Sequence, residues 1–249
     1  MSKLKGKIAL VTGGNSGIGL STARQFVREG AYVFITWRRD AELAAAVKQI
    51  GENVTGVQGD VSNVADLDRL FAQIKREKGK LDIVFVNAGV ACYAALGAIS
   101  EEFFDSIFDT NVKGVLFTVQ KALPLLSDGA SIILNASMVG SKGLPADNVY
   151  SATKAAVRSF ARTWTTDLKE RRIRVNAVSP GSIDTPGARD LLASSGVGEK
   201  RKKMIAESVP LGRFGTPDEA AKAVVSLASD DSTYITGTEL FVDGGFAQV

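Results

Sequence analysis

Tyr150 and Lys154 stand four positions apart, with Ser137 thirteen positions before the tyrosine. If residues 147–170 form a helix, Tyr150 and Lys154 share one face a single turn apart. An ammonium beside a phenol favours the phenolate, and so lowers the tyrosine pKa from about 10. A tyrosine tuned in this way can give or take a proton near neutral pH. The spacing alone is common by chance, so the surrounding chain must decide whether it is a site. The chain has no histidine. That removes the usual imidazole base, the Ser-His-Asp triad and His-ligated zinc, and the single Cys92 cannot replace them. No metal is expected, and acid–base chemistry must come from Tyr, Lys, Asp or Glu.

Such residues need elements to position them. Strand-like runs cover 7–12, 31–36, 53–58, 82–86, 131–135, 173–178 and 238–242. Helix-like segments cover about 17–29, 40–50, 63–78, 101–127 (interrupted), 147–170 and 217–229. Continuous apolar strands alternating with helices predict an α/β doubly wound parallel sheet, covered on both faces, in one domain over 1–249. Ligands of such sheets lie beyond the carboxyl ends of the strands.

The residues after each strand are therefore the informative ones. After the first comes Thr12-Gly13-Gly14-Asn15-Ser16-Gly17-Ile18-Gly19, glycines between a strand and a helix, suited to a phosphate cradle or to a tight turn. After the second come Trp37, Arg38 and Arg39, where an acidic residue would grip the ribose of NAD. The arginines could hold a 2′-phosphate or form a solvated pair, and Asp40 suits a helix N-cap. Asp60 and Val61 follow the third strand, with Asp60 either near an adenine edge or capping the next helix. Asn87-Ala88-Gly89 follow the fourth as a small-residue turn under a dinucleotide, and Ser137 follows the fifth. Pro180-Gly181-Ser182-Ile183-Asp184-Thr185 follow the sixth and open a flexible run, a candidate substrate lid over about 183–212.

The ordered set Thr12-Gly13-x-x-x-Gly17-Ile18-Gly19, Asn87-Ala88-Gly89, Ser137, Tyr150-x-x-x-Lys154 and Pro180-Gly181 resembles the short-chain dehydrogenase/reductase family. The likeness spans nearly the whole chain, to Phe241-Val242-Asp243-Gly244-Gly245. Within the family the chain is similar to bacterial NADPH-dependent alcohol dehydrogenases. The resemblance implies a Rossmann-like sheet of about seven strands in the order 3-2-1-4-5-6-7. It implies that Tyr150 is the acid in carbonyl reduction and the base in alcohol oxidation. Ser137 would bond the substrate oxygen, and Lys154 would hold the nicotinamide ribose and lower the Tyr150 pKa. Asn111 would fix a water linking Lys154 to solvent; from the sequence alone it could equally bend the helix at 101–127. NADP(H), with NAD(H) possible, would be held by Gly13, Asn15, Ser16, Gly17, Ile18, Gly19, Arg38, Arg39, Asp60, Val61, Asn87, Ala88, Gly89, Tyr150, Lys154, Pro180, Gly181, Ile183 and Thr185. Ser137, Val139, Leu144 and Tyr150 would meet the substrate. Relatives are usually homotetramers, and the resemblance implies the same here.

Other features bound the answer. The apolar fraction of 45%, 23% charged residues and a net charge of +3 describe a globular chain without a nucleic-acid stripe. No signal sequence or membrane-length apolar run is visible, so the expected location is the cytoplasm, with no membrane partner. Val90, Ala91, Met138, Val139, Leu144, Ser182 and Ile183 favour a neutral, hydrophobic ketone or secondary alcohol, unless Lys142 or Arg189 points inward. Thr216-Pro217-Asp218-Glu219 reads as a capping box with proline at N1. Cys92 reads as a small buried apolar residue, and Trp164 as core or subunit contact. Two alternatives stay open. One is a 3-oxoacyl-carrier-protein reductase using Arg158, Arg162, Lys169, Arg171 and Arg172 as a carrier surface. The other is a non-catalytic dinucleotide sensor, against which Ser137, Tyr150 and Lys154 argue.

Overall fold

The structure is a computed structural model describing residues 2–193 and 198–249. Seven parallel strands form one sheet in the order β3-β2-β1-β4-β5-β6-β7, as expected. They are β1 (Ile8–Thr12), β2 (Tyr32–Trp37), β3 (Val54–Gln58), β4 (Leu81–Val86), β5 (Leu126–Asn135), β6 (Arg174–Pro180) and β7 (Glu239–Val242). The helices are α1 (Gly17–Arg28), α2 (Asp40–Ile50), α3 (Val64–Lys78), α4 (Glu101–Phe108), α5 (Gly114–Ala122), α6 (Asn148–Asp167), α7 (Pro186–Ala193), α8 (Gly198–Ser208) and α9 (Pro217–Ala228).

The apolar strands serve two cores because alternate residues face opposite sides of the sheet. Leu10, Phe34, Val84, Ile132 and Val175 meet Leu70 and Ile74 of α3, Val119 of α5 and Val157 of α6. Val11, Ile35, Phe85, Ile133 and Val178 meet Phe26 of α1, Leu43 of α2 and Val224 of α9. Phe26, Phe34 and Phe85 are fully buried, and truncating one to alanine would cost about 3–5 kcal/mol. The helices thus clamp the sheet from both sides and leave the strand ends free to build a site.

The structure adjusts several sequence-based expectations. β5 begins at Leu126, ahead of the expected 131. Its first pair, Leu81 with Leu126, is separated from the rest by a register shift, and the polar Ser127-Asp128-Gly129 hides it from an apolar-run reading. The helical pattern over 101–127 is broken by a π-helical turn, Asp109–Lys113, that contains Asn111. The run after Thr185 is not uniformly irregular: α7 and α8 occupy it. Its Gly, Ala, Ser and charged content lacks an apolar stripe, which concealed them, and Pro186 opens α7 where proline is tolerated. Residues 194–197 of the expected lid lie outside the described residues. At α9, Thr216 accepts from the Glu219 amide while the Glu219 carboxylate accepts from the Thr216 amide at 2.8 Å, and Pro217 sits in the first turn. Among the described residues, no helix is long and apolar enough to cross a membrane.

Candidate active site

The glycine loop is shaped by close backbone approach. A Cβ on Gly19 would lie 2.1 Å from the Gly13 carbonyl oxygen, and Gly13 has φ +66°. Neither position tolerates a side chain. Asn87 locks the loop to the end of β4. Its Nδ2 donates to the carbonyls of Thr12 (2.9 Å) and Gly13 (3.1 Å). The Thr12 hydroxyl accepts from the amides of Asn87 and Ala88, and Asn135 Nδ2 donates to Asn87 Oδ1 at 3.0 Å. Asn87 therefore clamps the loop as well as forming the turn. At the start of α1, Ser16 makes no side-chain cap and the first turn has no acidic residue, so an anion is the partner this helix end favours.

One pocket at the carboxyl ends of β1 to β4 brings together Gly13, Trp37, Arg38, Asp60, Val61 and Gly89. The two arginines differ there. Arg39 is paired with Glu42 (2.5 Å), which also accepts from the Trp37 indole at 2.7 Å. Arg38 makes no ion pair or side-chain hydrogen bond among the described residues; its guanidinium lies 5.6 Å from the Trp37 ring centroid. Arg39, not Asp40, occupies the N-cap of α2, and Asp40 opens the helix itself. Asp60 accepts from the amide and hydroxyl of Ser62, whereas Asn63 caps α3. These contacts fit a dinucleotide: Gly13 of the side-chain-free cradle and the unpaired Arg38 line one pocket, and the uncapped end of α1 follows the same loop.

Beside that pocket, α6 presents Tyr150 and Lys154 to the end of β5. Lys154 is buried and its Nζ donates to the Asn135 carbonyl at 2.7 Å. Nζ lies 5.4 Å from the Tyr150 ring centroid, over the ring. Burial lowers the Lys154 pKa to about 8. Burial raises the Tyr150 pKa above its ordinary value, opposed by a hydrogen bond with Ser137. The expected lowering of the phenol by Lys154 is thus overridden: the ammonium is itself desolvated and directed at Asn135. Ser137 caps the short turn Met138–Gly140, its hydroxyl accepting from the Val139 amide at 3.4 Å.

Asn111 is buried in the π-helical turn. It accepts from Val90 N and donates to Val90 O, both at 2.8 Å, and donates to Thr153 Oγ1 at 3.2 Å. Thr153 in turn donates to Tyr150 O at 2.7 Å. A Cβ on Gly89 would stand 3.2 Å from Asn111 Oδ1 and 3.6 Å from Lys154 Nζ. The irregular turn and the site are therefore joined: from the π-helical turn, the Asn111 side chain links the segment after β4 to α6.

The remaining candidates divide. Gly181 is a packing position, since a Cβ there would meet Asp243 Cβ at 2.6 Å. The Thr185 side chain lies against Gly17, and Ile183 bridges to Gly215. Met138 and Val139 are buried and Leu144 partly so. Lys142 is committed elsewhere, donating to the carbonyls of Phe246 and Val249, and Arg189 pairs with Asp184. Cys92 is exposed, contrary to expectation, because it lies in the irregular segment after β4 rather than in a strand. Trp164 packs against the core on the α6 side and stacks on Phe160 at 4.6 Å. Sequence reasoning named Thr12 in the glycine motif without giving it a role, and passed over Asn135, Thr153 and Asp147. Asn135, a polar residue ending an apolar strand, carried the clearest signal. Among the described residues, no group of three or more His, Cys, Asp or Glu could hold a metal.

The fold and this arrangement define a dinucleotide-linked oxidoreductase of the Rossmann type. Comparison with known proteins makes the assignment specific. Residues 13–247 match the family described as enoyl-(acyl carrier protein) reductase. The chain belongs to the short-chain dehydrogenase/reductase family, whose members use NAD(P)(H). It is 46% identical over 251 residues to oxidoreductase asL5 of Sarocladium schorii, covering 100% of this chain and 99% of that one. It is 37% identical to the 3-oxoacyl-[acyl-carrier-protein] reductase FabG of Thermotoga maritima, covering 98% of each. A solved short-chain dehydrogenase/reductase family protein superimposes with a TM-score of 0.90 at 38% identity, covering 99% of this chain and 100% of that one.

Proposed function

We propose that the protein reduces the carbonyl of a hydrophobic ketone or aldehyde to an alcohol, reversibly, with NADPH preferred over NADH. The observation that carries this reading is the convergence of Ser137, Tyr150, Lys154 and Asn111 beside the glycine-loop pocket. A bound nicotinamide dinucleotide supplies the hydride. Tyr150 gives its proton to the carbonyl oxygen in reduction and recovers it in oxidation. Tyr150 is protonated at neutral pH, as an ordinary phenol is, and that is the form reduction needs. Ser137 donates to the same oxygen as negative charge develops there. Lys154, with a pKa of about 8, holds the cofactor ribose and can pass a proton toward Tyr150, with Asn111 ordering that path. Arg38 takes the 2′-phosphate, supported by its lack of an ion pair where Arg39 has one. The segment over 183–212 is read as the lid, now with α7 and α8 as its body. A homotetramer is supported by the stacked pair Phe104–Phe108 on α4 and by exposed Leu240 on the edge strand β7.

Similarity to FabG keeps a carrier-thioester substrate as the second reading. Its basic surface is weakened, since Arg158 is paired with Glu239, and Arg171 with Asp128 and two backbone carbonyls. An NADPH-oxidation screen over ketones, aldehydes and an acetoacetyl thioester tests both. Turnover of hydrophobic ketones well above the thioester is expected. Exclusive turnover of the thioester would replace this reading with the second, and tight NADPH binding without turnover of any carbonyl would sink both.

A further inference from the structure

Ser137 opens a tight turn that leads out of β5. Its carbonyl accepts from the Gly140 amide at 2.9 Å, and the Met138 carbonyl accepts from the amides of Ser141 and Lys142, both at 3.0 Å. Lys142 therefore belongs to the same hydrogen-bonded turn as Ser137. The middle of the turn lies against α6, where a Cβ on Gly140 would stand 3.1 Å from Ala155 N and from Lys154 C. The far end of the turn is held from another direction.

Lys142 is only partly exposed, and its Nζ donates to the carbonyls of Phe246 at 2.7 Å and Val249 at 2.8 Å. The same ammonium lies 4.7 Å from the centroid of the Phe246 ring. Hydrogen bonds from a charged donor are among the stronger ones, and here two of them converge with a ring contact on one side chain. The segment they reach is itself fixed. Asp243 is buried and accepts from the amides of Gly245 at 2.9 Å and Ala247 at 2.8 Å. Gly181 N, at the end of β6, donates to Val242 O at 3.0 Å, and a Cβ on Gly181 would meet Asp243 Cβ at 2.6 Å. A Cβ on Gly244 would meet Val209 Cγ1 at 2.6 Å, just beyond α8. The turn after β7 is thus wedged against two neighbouring segments, and Lys142 ties the Ser137 turn to it.

We propose that Lys142 is a positioning residue for carbonyl reduction: by tying the Ser137 turn to the turn after β7, it holds the Ser137 hydroxyl in place relative to the Tyr150 phenol. Two hydroxyls must meet one developing oxyanion, and they come from different elements, the turn after β5 and α6. A donor misplaced by about 1 Å can cost about 10²-fold in rate. Lys142 touches neither substrate nor cofactor in this role, because its ammonium is spent on the two carbonyls; it acts through the turn. The proposal rests on the reading that Ser137 and Tyr150 together meet the carbonyl oxygen.

The test measures single-turnover NADPH oxidation with the ketone that wild type reduces fastest in the screen above. The proteins are wild type, Lys142→Met, Ser137→Ala and the variant carrying both substitutions. Lys142→Met should slow this step by about 10-fold or more, with NADPH affinity read by fluorescence within about 2-fold of wild type. Ser137→Ala alone should slow it by about 10²-fold. In that background Lys142→Met should cost no more than about 2-fold further, because the group it positions is gone. An equal loss with and without Ser137 would show a general loosening of the fold and overturn the proposal, as would a methionine variant as fast as wild type. If the methionine variant fails to bind NADPH, Lys142→Gln, which keeps a neutral donor, decides by the same comparison. Loss of NADPH affinity in both variants would show that Lys142 serves the fold rather than Ser137, and the proposal would fall. Wild type that reduces no ketone, or a Ser137→Ala variant as fast as wild type, would instead sink the reading on which it rests.

Discussion

Replacing Lys154 by methionine should make the protein more stable at neutral pH while removing its activity. The lysine is pulled from its ordinary 10.5 to about 8 by burial. At about 1.4 kcal/mol per pH unit, carrying a buried ammonium at pH 7 costs about 3 kcal/mol. Methionine has a similar length and no charge to desolvate, but it leaves the Asn135 carbonyl without its 2.7 Å donor, a loss of about 1–2 kcal/mol. The net expectation is a gain of about 1–2 kcal/mol at pH 7. Its sign follows from linkage. The folded protein binds fewer protons at Lys154 than the unfolded chain does between the two pKa values, so wild-type stability rises with pH over that window. The advantage of Lys154→Met should therefore shrink from pH 8 towards 10.5, whereas the loss of the Asn135 contact is independent of pH. Urea unfolding of both proteins at fixed protein concentration, from pH 7 upward, separates the two contributions. A stability difference flat across that range would refute the claim that burial of this ammonium is what the fold is bearing.

Other outcomes follow from the same coordinates. Asp147→Asn should stabilise the protein at pH 8 by up to about 3 kcal/mol. Because the carboxylate pKa is raised from 3.8 to about 6, that gap should close as pH falls through this window. Arg38→Ala should cut the NADPH-over-NADH preference in kcat/KM by about 10-fold or more, whereas Arg39→Ala, already paired with Glu42, should change it little; equal effects would return both to a solvated pair. Gly19→Ala drives a methyl onto the Gly13 carbonyl and should abolish NADPH binding measured by fluorescence; retained affinity would show that the loop can shift.

The fold was legible because its strands are apolar on both faces, so alternation with helices announced a parallel sheet. The glycine loop was legible as well, since a strand followed by Gly13, Gly17 and Gly19 has few other uses. Boundaries failed where the signal was polar. Ser127-Asp128-Gly129 disguised the start of β5, and the charged, small-residue make-up of α7 and α8 read as irregular chain. Within the site, residue types pointed to Tyr150, Lys154 and Ser137, but not to what surrounds them. Burial, a tertiary property, sends the Tyr150 pKa up where a local pair of residues predicts down. Asn87 as a clamp and Asn135 as the acceptor for Lys154 depend on neighbours 75 and 19 residues distant in sequence. Asp147 gave no motif at all; only its orphaned oxygen marks it.

The central claim is that Tyr150 gives and takes the proton. It is tested most directly by comparing Tyr150→Phe with wild type in ketone reduction, with NADPH affinity measured on the same samples. Loss of the phenolic proton should lower kcat by about 10²–10⁴-fold, with cofactor binding retained. A phenylalanine variant that reduces the ketone as fast as wild type would contradict it.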